Sequence, residues 1–217
     1  MISKHATTGQ QFDAYDEQQL ASRMVECLLD LGEMETNPVL ISLQDVKSIK
    51  PYQRYPEKPY YFGNKHWRAF YHCHDAANTR PGEHGHYHFF TRLDVNSEWS
   101  HVVALSMNNV GQPISLFTTN LWVTDGTWFD SNLFTQQIKN LYSINNENIL
   151  TNWLSYALLI FQDEIRALLI NRNKQINTLS SDSQEAFLMD RSIYTLSETD
   201  INLNEQLYKQ FNLDHEH

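Results

Sequence analysis

Residues 66–74 read HWRAFYHCH and residues 84–92 read HGHYHFFTR, and these two stretches decide the fold. In both, side chains of one kind recur at every second position, which is the period of a β-strand. The residues between the two stretches include Pro81-Gly82, a pair typical of turns. The two stretches therefore predict an antiparallel hairpin that carries histidines on one face.

The rest of the chain extends this hairpin into an α+β fold. Two further strand-like runs, at 99–107 and 114–123, follow after short turns, so the pattern predicts a four-stranded antiparallel meander. An N-terminal helix and a long C-terminal helix over residues 148–176 have apolar stripes suited to packing on the sheet. The prolines of residues 33–65 favour an irregular segment there, with a short strand at 39–43.

Length and charge bound the organisation and the partners of the protein. The 217 residues fit one α+β domain, which we place at 15–195, between a flexible leader at 1–14 and an acidic C-terminal segment at 196–217. With 16 basic and 26 acidic residues the formal charge is −10, which argues against binding to nucleic acid or to an anionic membrane surface. The sequence starts without a signal-peptide pattern and has no apolar run long enough to span a bilayer, so we expect a cytoplasmic location.

Histidines are concentrated on the predicted sheet, where seven of the ten lie within residues 66–101. Residues two apart on a strand share a face, so a hairpin that pairs His72 with His86 also pairs His74 with His84 on that face. Directly opposed Cβ atoms lie about 4.5–5.5 Å apart, which allows several imidazoles to reach one ion. A register that pairs the third strand through His101 extends the cluster and predicts a polar pocket. Its predicted walls are His72, His86, His88, His101, Thr118 and Asn120, with Glu83 and Arg68 at its edges.

A cluster of this kind favours a metal site. Neutral imidazole is a common ligand of zinc and also binds iron, and three nitrogen ligands leave one coordination position for water or substrate. We predict a divalent metal, zinc or iron, and a metal-dependent enzyme that acts on a small molecule. The predicted ligands are His72, His86, His88 and His101, of which three suffice. Glu83 is the candidate general acid or base, with His86 the other catalytic candidate, and Arg68, Thr118 and Asn120 are the candidate substrate-binding residues.

Other interpretations of the same residues stay open at this stage. His86 can serve as the nucleophile of a metal-free phosphoryl or nucleotidyl transfer. The histidine face can belong to a non-catalytic module that binds metal or a protein partner. Half-exposed histidines that hydrogen-bond their neighbours without further function are the plainest alternative. The reaction, the substrate and the oligomeric state do not follow from the sequence.

The histidine run also carries resemblances to known families. The stretches RPGEHGHYHFF at 80–90 and FTTNLWVT at 117–124 resemble an uncharacterised bacterial family of unknown function, over roughly residues 60–130. The run HGHYHFF is similar to the signature of histidine triad nucleotide hydrolases and transferases, which implies that His86 attacks phosphorus, although Gly85 replaces an apolar residue of that signature. Paired His-x-His motifs on adjacent strands are similar to those of cupins, where such residues bind iron, zinc or nickel.

Overall fold

A computed structural model describes residues 16–44, 46–124, 126–142 and 148–212, so the predicted leader at 1–14 lies outside the described residues. Within this part of the chain, six strands form one sheet in the order of the sequence, and every neighbouring pair is antiparallel. The strands are β1 (Tyr55–Phe62), β2 (Trp67–His72), β3 (Gly85–Thr91), β4 (Ser100–Met107), β5 (Pro113–Thr119) and β6 (Thr195–Asp200).

Eight α-helices accompany the sheet in the described residues. They are α1 (Glu17–Glu33), α2 (Pro38–Leu43), α3 (Leu121–Thr124), α4 (Ser131–Gln137), α5 (Ile149–Ile160), α6 (Gln162–Asn177), α7 (Ser181–Leu188) and α8 (Leu203–Gln210). Several begin at side-chain caps of the expected kind. Asp16 accepts hydrogen bonds from the first turn of α1, and Asn148 and Asn202 do the same for α5 and α8.

The α+β class and the antiparallel sheet are confirmed, but the sheet has six strands rather than four. The four predicted strands correspond to β2–β5. The prediction of an irregular segment is wrong for residues 55–62, which form the edge strand β1. At the other edge, β6 pairs with β5 and lies across the boundary that we predicted between residues 195 and 196.

Two predicted elements have a different form in the structure. The long C-terminal helix is divided into α5 and α6 at Phe161, and α6 then begins with Asp163 and Glu164 in its first turn, where carboxylates stabilise a helix. The short strand predicted at 39–43 is wrong, because this segment is the helix α2. Asn37 caps α2 through Leu40 N–H, and Pro38 at the first helical position needs no hydrogen-bond partner.

The two faces of the sheet are buried against different partners. Alternate residues of β2 and β3, such as Tyr71 and Phe89, belong to one hydrophobic cluster with side chains of α1, α5 and α6. Residues of the other parity, such as Phe70, share the opposite face with the histidines and with Phe117 of β5, and we call this the histidine face. None of the helices in the described part of the chain combines the length and the apolar character that crossing a membrane requires.

Candidate metal centre

The hairpin of β2 and β3 has the predicted register at the centre of the histidine face. His72 lies opposite His86, and Phe70 lies opposite His88. The predicted pairing of His74 with His84 does not form, since the paired register ends at His72 and His86. The ring of His84 lies on the other face, where its Nδ1 is 2.6 Å from the hydroxyl of Tyr71. Four imidazoles therefore lie on the histidine face: those of His72, His86 and His88 from the two strands, and that of His74 from just beyond the end of β2.

Glycine at position 85 allows the two strands to approach each other at this point. A Cβ atom there would lie 2.5 Å from the carbonyl oxygen of His72 and 2.6 Å from the Tyr71 hydroxyl. Both distances are far below van der Waals contact, so a larger residue would separate β2 from β3. The glycine that departs from the histidine triad signature thus has a steric reason in this fold.

A β-bulge brings His101 to the histidine face. Phe89 pairs with Val103 but Phe90 pairs with His101, so Val102 is an extra residue in β4. Such a bulge reverses the parity of the residues beyond it and re-aims their side chains. The predicted pairing of His88 with His101 is wrong, since His88 lies opposite Ala104, yet the bulge still places His101 Nε2 only 2.9 Å from His88 Nδ1.

The same bulge changes which residue of β5 lies beside His101. In an unbroken register, Thr118 and Asn120 would share a face with His101, as we predicted. Because of the bulge, His101 instead contacts Thr119, whose Oγ1 lies 3.1 Å from His101 Nδ1. Thr118 points to the helical face and hydrogen-bonds Ser197 at 2.6 Å.

Three imidazoles converge in a way that suits one metal ion. One ring nitrogen from each of His72, His86 and His88 lies within 4.8 Å of the other two. The Nε2 atoms of His72 and His86 are 2.7 Å apart, which is a hydrogen-bond distance. Two nitrogens bound to tetrahedral zinc lie about 3.4 Å apart, so binding requires these two rings to separate by less than 1 Å.

The outer ring nitrogens of two of these histidines are held by buried partners. His86 Nδ1 lies 2.7 Å from Glu83 Oε1, and Ser106 donates to Glu83 Oε2 at 2.5 Å. His88 Nδ1 contacts His101, which in turn contacts Thr119. The consistent assignment has the Nδ1–H groups of His86, His88 and His101 donating outward along these two chains. This leaves Nε2 of His86 and of His88 unprotonated, and without an ion Nε2 of His86 accepts the Nε2–H of His72.

Burial keeps the imidazoles of His72, His86, His88 and His101 neutral at physiological pH. It lowers the pKa of His72 to about 2 and that of His101 to about 3, with His86 and Arg172, respectively, adding to the effect. The pKa of His88 falls well below its usual value through burial and the adjacent imidazoles. For His86, burial outweighs the Glu83 carboxylate, so its pKa is also lowered. Neutral imidazole is the form that binds metal.

A cavity of about 620 Å³ opens beside this cluster. His72, His74 and His88 line it, whereas His86 is 1% exposed and lies behind them. Much of the rest of the lining consists of four aromatic residues and two arginines. These residues are Tyr52, Phe70, Trp122, Tyr194, Arg54 and Arg80. The arrangement gives the cluster one open side, which is large enough for a small molecule.

The predicted substrate-binding residues lie outside this cavity. Arg68 stacks over the rings of Phe90 and Trp99, at 4.7 and 4.6 Å. Asn120 is buried, donates to the carbonyl of Phe187 and accepts from Leu121 N–H, so it anchors α3. Its connection with the cavity is indirect, because α3 contributes lining residues.

Sequence reasoning missed other residues around the site. Ser106, Thr119 and Arg80 each contact it or line the cavity. Arg80 precedes the Pro81-Gly82 turn by one residue and so was close to a recognised signal. The remaining two had no such signal, since their positions depend on strand register.

An α+β fold with three converging imidazoles beside a cavity defines a protein with a candidate metal centre on a sheet face. The chain belongs to the family described as Domain of unknown function (DUF6969), whose profile matches residues 18–201. This confirms the resemblance to an uncharacterised family and extends it well beyond residues 60–130. No curated protein and no solved structure matches the chain. The described residues form one sheet whose strands follow the order of the sequence, whereas the jelly roll of cupins has two sheets.

Proposed function

We propose that this protein binds one divalent metal ion through His72, His86 and His88 and acts as a metal-dependent enzyme on a small molecule. The observation that carries the proposal is the convergence of three neutral imidazoles, within 4.8 Å of one another, beside a cavity. Three nitrogen ligands are the minimum set of several catalytic zinc sites, and the same ligand type also suits iron.

The partners of the ring nitrogens support a metal rather than a set of isolated histidines. A metal-binding histidine usually donates its other N–H to a carboxylate or to another acceptor, which fixes the ring and its tautomer. His86 has such an acceptor in Glu83, and His88 has one in His101. Of the four predicted ligands, His101 therefore acts on the centre through His88, and the other three are the ligands.

The open side of the centre supports a catalytic role, because a substrate in the cavity can reach the ion. His72 and His88 line the cavity, so a fourth position on the ion would face the space where a substrate lies. A divalent ion held there supplies a Lewis acid that polarises a substrate oxygen or acidifies a water molecule. The aromatic rings of the lining give the cavity low-dielectric walls, which strengthen the electrostatic interactions within it.

Glu83 fits a positioning role better than the general acid or base role suggested by its sequence position. Its side chain is 1% exposed, and both oxygens are already occupied, by His86 and by Ser106. A group that transfers protons to a substrate must come within hydrogen-bond reach of it. Glu83 lies behind His86, outside the cavity lining.

His86 is equally badly placed for a metal-free nucleophile. Attack on phosphorus requires a ring nitrogen with access to the substrate, but both ring nitrogens of His86 contact other side chains. The ring also lies outside the cavity lining. The geometry thus favours the metal-dependent alternative over phosphoryl transfer through His86.

Metal analysis of the purified protein tests the proposal. After reconstitution with zinc or with iron(II) and removal of excess ion, we expect about one ion per chain, measured by inductively coupled plasma mass spectrometry. The variants H72A, H86A and H88A should each lose this stoichiometric ion. The matched control is H84A, because His84 belongs to the same HGHYH run but points to the other face.

Loss of metal from a variant supports the assignment only if the variant is folded and the H84A control keeps its metal. All four variants must retain the wild-type circular dichroism spectrum before their metal content is compared. Wild-type protein that retains no ion after reconstitution, or an H72A variant that retains as much as H84A, would overturn the three-histidine assignment. Cobalt(II) substitution provides a second readout, since the visible spectrum should show a low-coordinate nitrogen environment.

A further inference from the structure

The cavity beside the candidate metal centre has a charge opposite to that of the whole chain. The formal charge of the chain is −10, yet the charged residues of the described lining are Arg54 and Arg80, and it includes no aspartate or glutamate. A cavity with low-dielectric walls concentrates the field of the charges that line it. Its lining therefore selects for anions although the protein as a whole repels them.

Arg54 is the cation with the greatest freedom to bind a ligand. Its guanidinium group lies 4.7 Å from the centre of the Phe70 ring, and the residue is exposed. Phe70 is the cross-strand neighbour of His88 and lies 6.0 Å, ring to ring, from His72. Stacking on Phe70 holds the guanidinium close to the metal-binding imidazoles and leaves its N–H edge open to an acceptor.

Arg80 is less available, because other groups already hold it. One of its terminal nitrogens donates to Glu198 at 2.7 Å, and the other donates to Thr195 Oγ1 at 2.7 Å. Its guanidinium also lies 3.8 Å from the centre of the Phe117 ring. Arg80 thus adds positive potential to the wall, whereas Arg54 is the better candidate for direct contact with a ligand.

Aromatic side chains form much of the remaining lining. Phe70, Tyr52, Trp122 and Tyr194 all contribute, and Tyr52 and Tyr194 both pack on the ring of His74, at 5.1 and 5.8 Å. Aromatic rings offer large, rigid apolar surface that suits a flat ligand. The lining therefore combines a site for one anionic group with surface for a flat apolar body.

We propose that the substrate of this site is a small anion with a flat apolar body, whose charged group pairs with Arg54. The inference rests on the proposed function for the metal, but it concerns a different part of the cavity. A carboxylate and a phosphate monoester share the planar or forked oxygen acceptors that guanidinium binds in a bidentate manner. In this arrangement the apolar body lies among the aromatic rings, next to His72 and His88.

Calorimetric titration with three probes tests this inference on metal-reconstituted protein. Benzoate and phenyl phosphate carry the two anionic groups, and benzamide is a neutral analogue of similar shape. We expect at least one anion to bind, with at least about tenfold weaker binding for R54Q, as the loss of a charged hydrogen-bonded pair implies. R54K should recover part of the affinity, and benzamide should bind the wild type and R54Q equally.

The matched control is R92Q, because Arg92 also stacks on an aromatic ring, Trp99, but lies outside the cavity lining. R92Q should bind the anions like the wild type. Equal anion affinities for the wild type and R54Q would overturn the inference, as would wild-type protein that binds neither anion or that prefers benzamide.

Metal content separates this inference from the proposed function. If R54Q retains the wild-type metal content and loses anion affinity, both proposals are supported. If the protein holds no metal but Arg54-dependent anion binding persists, the metal assignment fails and the anion site stands. If metal binds normally and Arg54 has no effect, the anion site fails and the metal assignment stands. The relative affinity for benzoate and phenyl phosphate identifies the preferred anionic group.

Discussion

At the scale of single residues, a substitution of Glu83 tests whether the partners of the histidine ligands strengthen metal binding. It accepts from His86 Nδ1–H and from Ser106, and it is almost fully buried. E83Q keeps the shape but removes the charge that favours donation from His86. We expect about 10–100-fold weaker metal binding, measured by competition with a chelator, because outer partners of metal ligands typically have effects of this size.

A control of the same chemical type accompanies this variant. Glu98 is exposed in the connection between β3 and β4, so E98Q makes the same change in charge away from the centre. Its metal affinity should equal that of the wild type. Equal affinities for E83Q and E98Q would mean that Glu83 has a merely structural role.

Only part of the candidate site was predictable at this scale. Period-two spacing is sufficient to place His72, His86 and His88 on one face, because the hairpin that carries them is regular. His101 and its neighbour Thr119 were beyond that reasoning. Their relation depends on one extra residue in β4, and no residue type in the Ser-His-Val-Val run distinguishes a bulge from a regular strand.

At the scale of elements, the close pairing of β2 with β3 is the feature on which the histidine arrangement depends. Gly85 begins β3 at the point where a Cβ atom would meet the His72 carbonyl and the Tyr71 hydroxyl. G85A should lower the free energy of unfolding by about 1–3 kcal/mol, the usual cost of overpacking, measured by urea denaturation. It should also weaken metal binding, because the strands that carry His72 and His86 are pushed apart.

Another glycine offers the comparison for this substitution. Gly32 lies in the last turn of α1, and a Cβ atom there has no neighbour within 4 Å. G32A should leave metal binding unchanged and raise helix stability by up to about 1 kcal/mol. If G85A is as stable as G32A and binds metal equally well, the steric interpretation of Gly85 is wrong.

The missed strands were the two edges of the sheet, and the reason is physical. β1 reads YPEKPYYF, with two prolines that a central strand would exclude, and β6 reads TLSETD, which is largely polar. Edge strands tolerate proline and charge because one side of the backbone lacks a partner strand, and such residues also hinder edge-to-edge aggregation. The prolines and polar residues that protect an edge strand also remove the alternation of apolar and polar residues by which a strand is predicted. The strands β2–β5 keep that alternation.

At the scale of the whole molecule, one face of the sheet packs on the long helices, whereas the other face carries the histidine cluster and the cavity. The helices α1, α5 and α6 and the C-terminal helix α8 contribute to the hydrophobic cluster on one side. The histidine face is covered by loops, by the short helix α3 and by stacked arginines, which leaves space for the cavity. The cavity therefore forms where none of the long helices in the described ranges supplies a complete apolar cover.

This division predicts that metal binding stabilises the entire domain. The three ligands come from two central strands, so the assembled site exists only when the sheet is folded, and an ion that binds only the folded state shifts the unfolding equilibrium. At a free metal concentration about 100 times Kd the gain is about 2.7 kcal/mol, which raises Tm by about 5–10 °C for a domain of this size. Differential scanning calorimetry of metal-free and reconstituted protein measures the shift, which should vanish in H72A and persist in H84A. A Tm that does not respond to the ion in wild-type protein would mean that the folded state binds no ion selectively, and a Tm that rises equally in H72A would place the bound metal at another site.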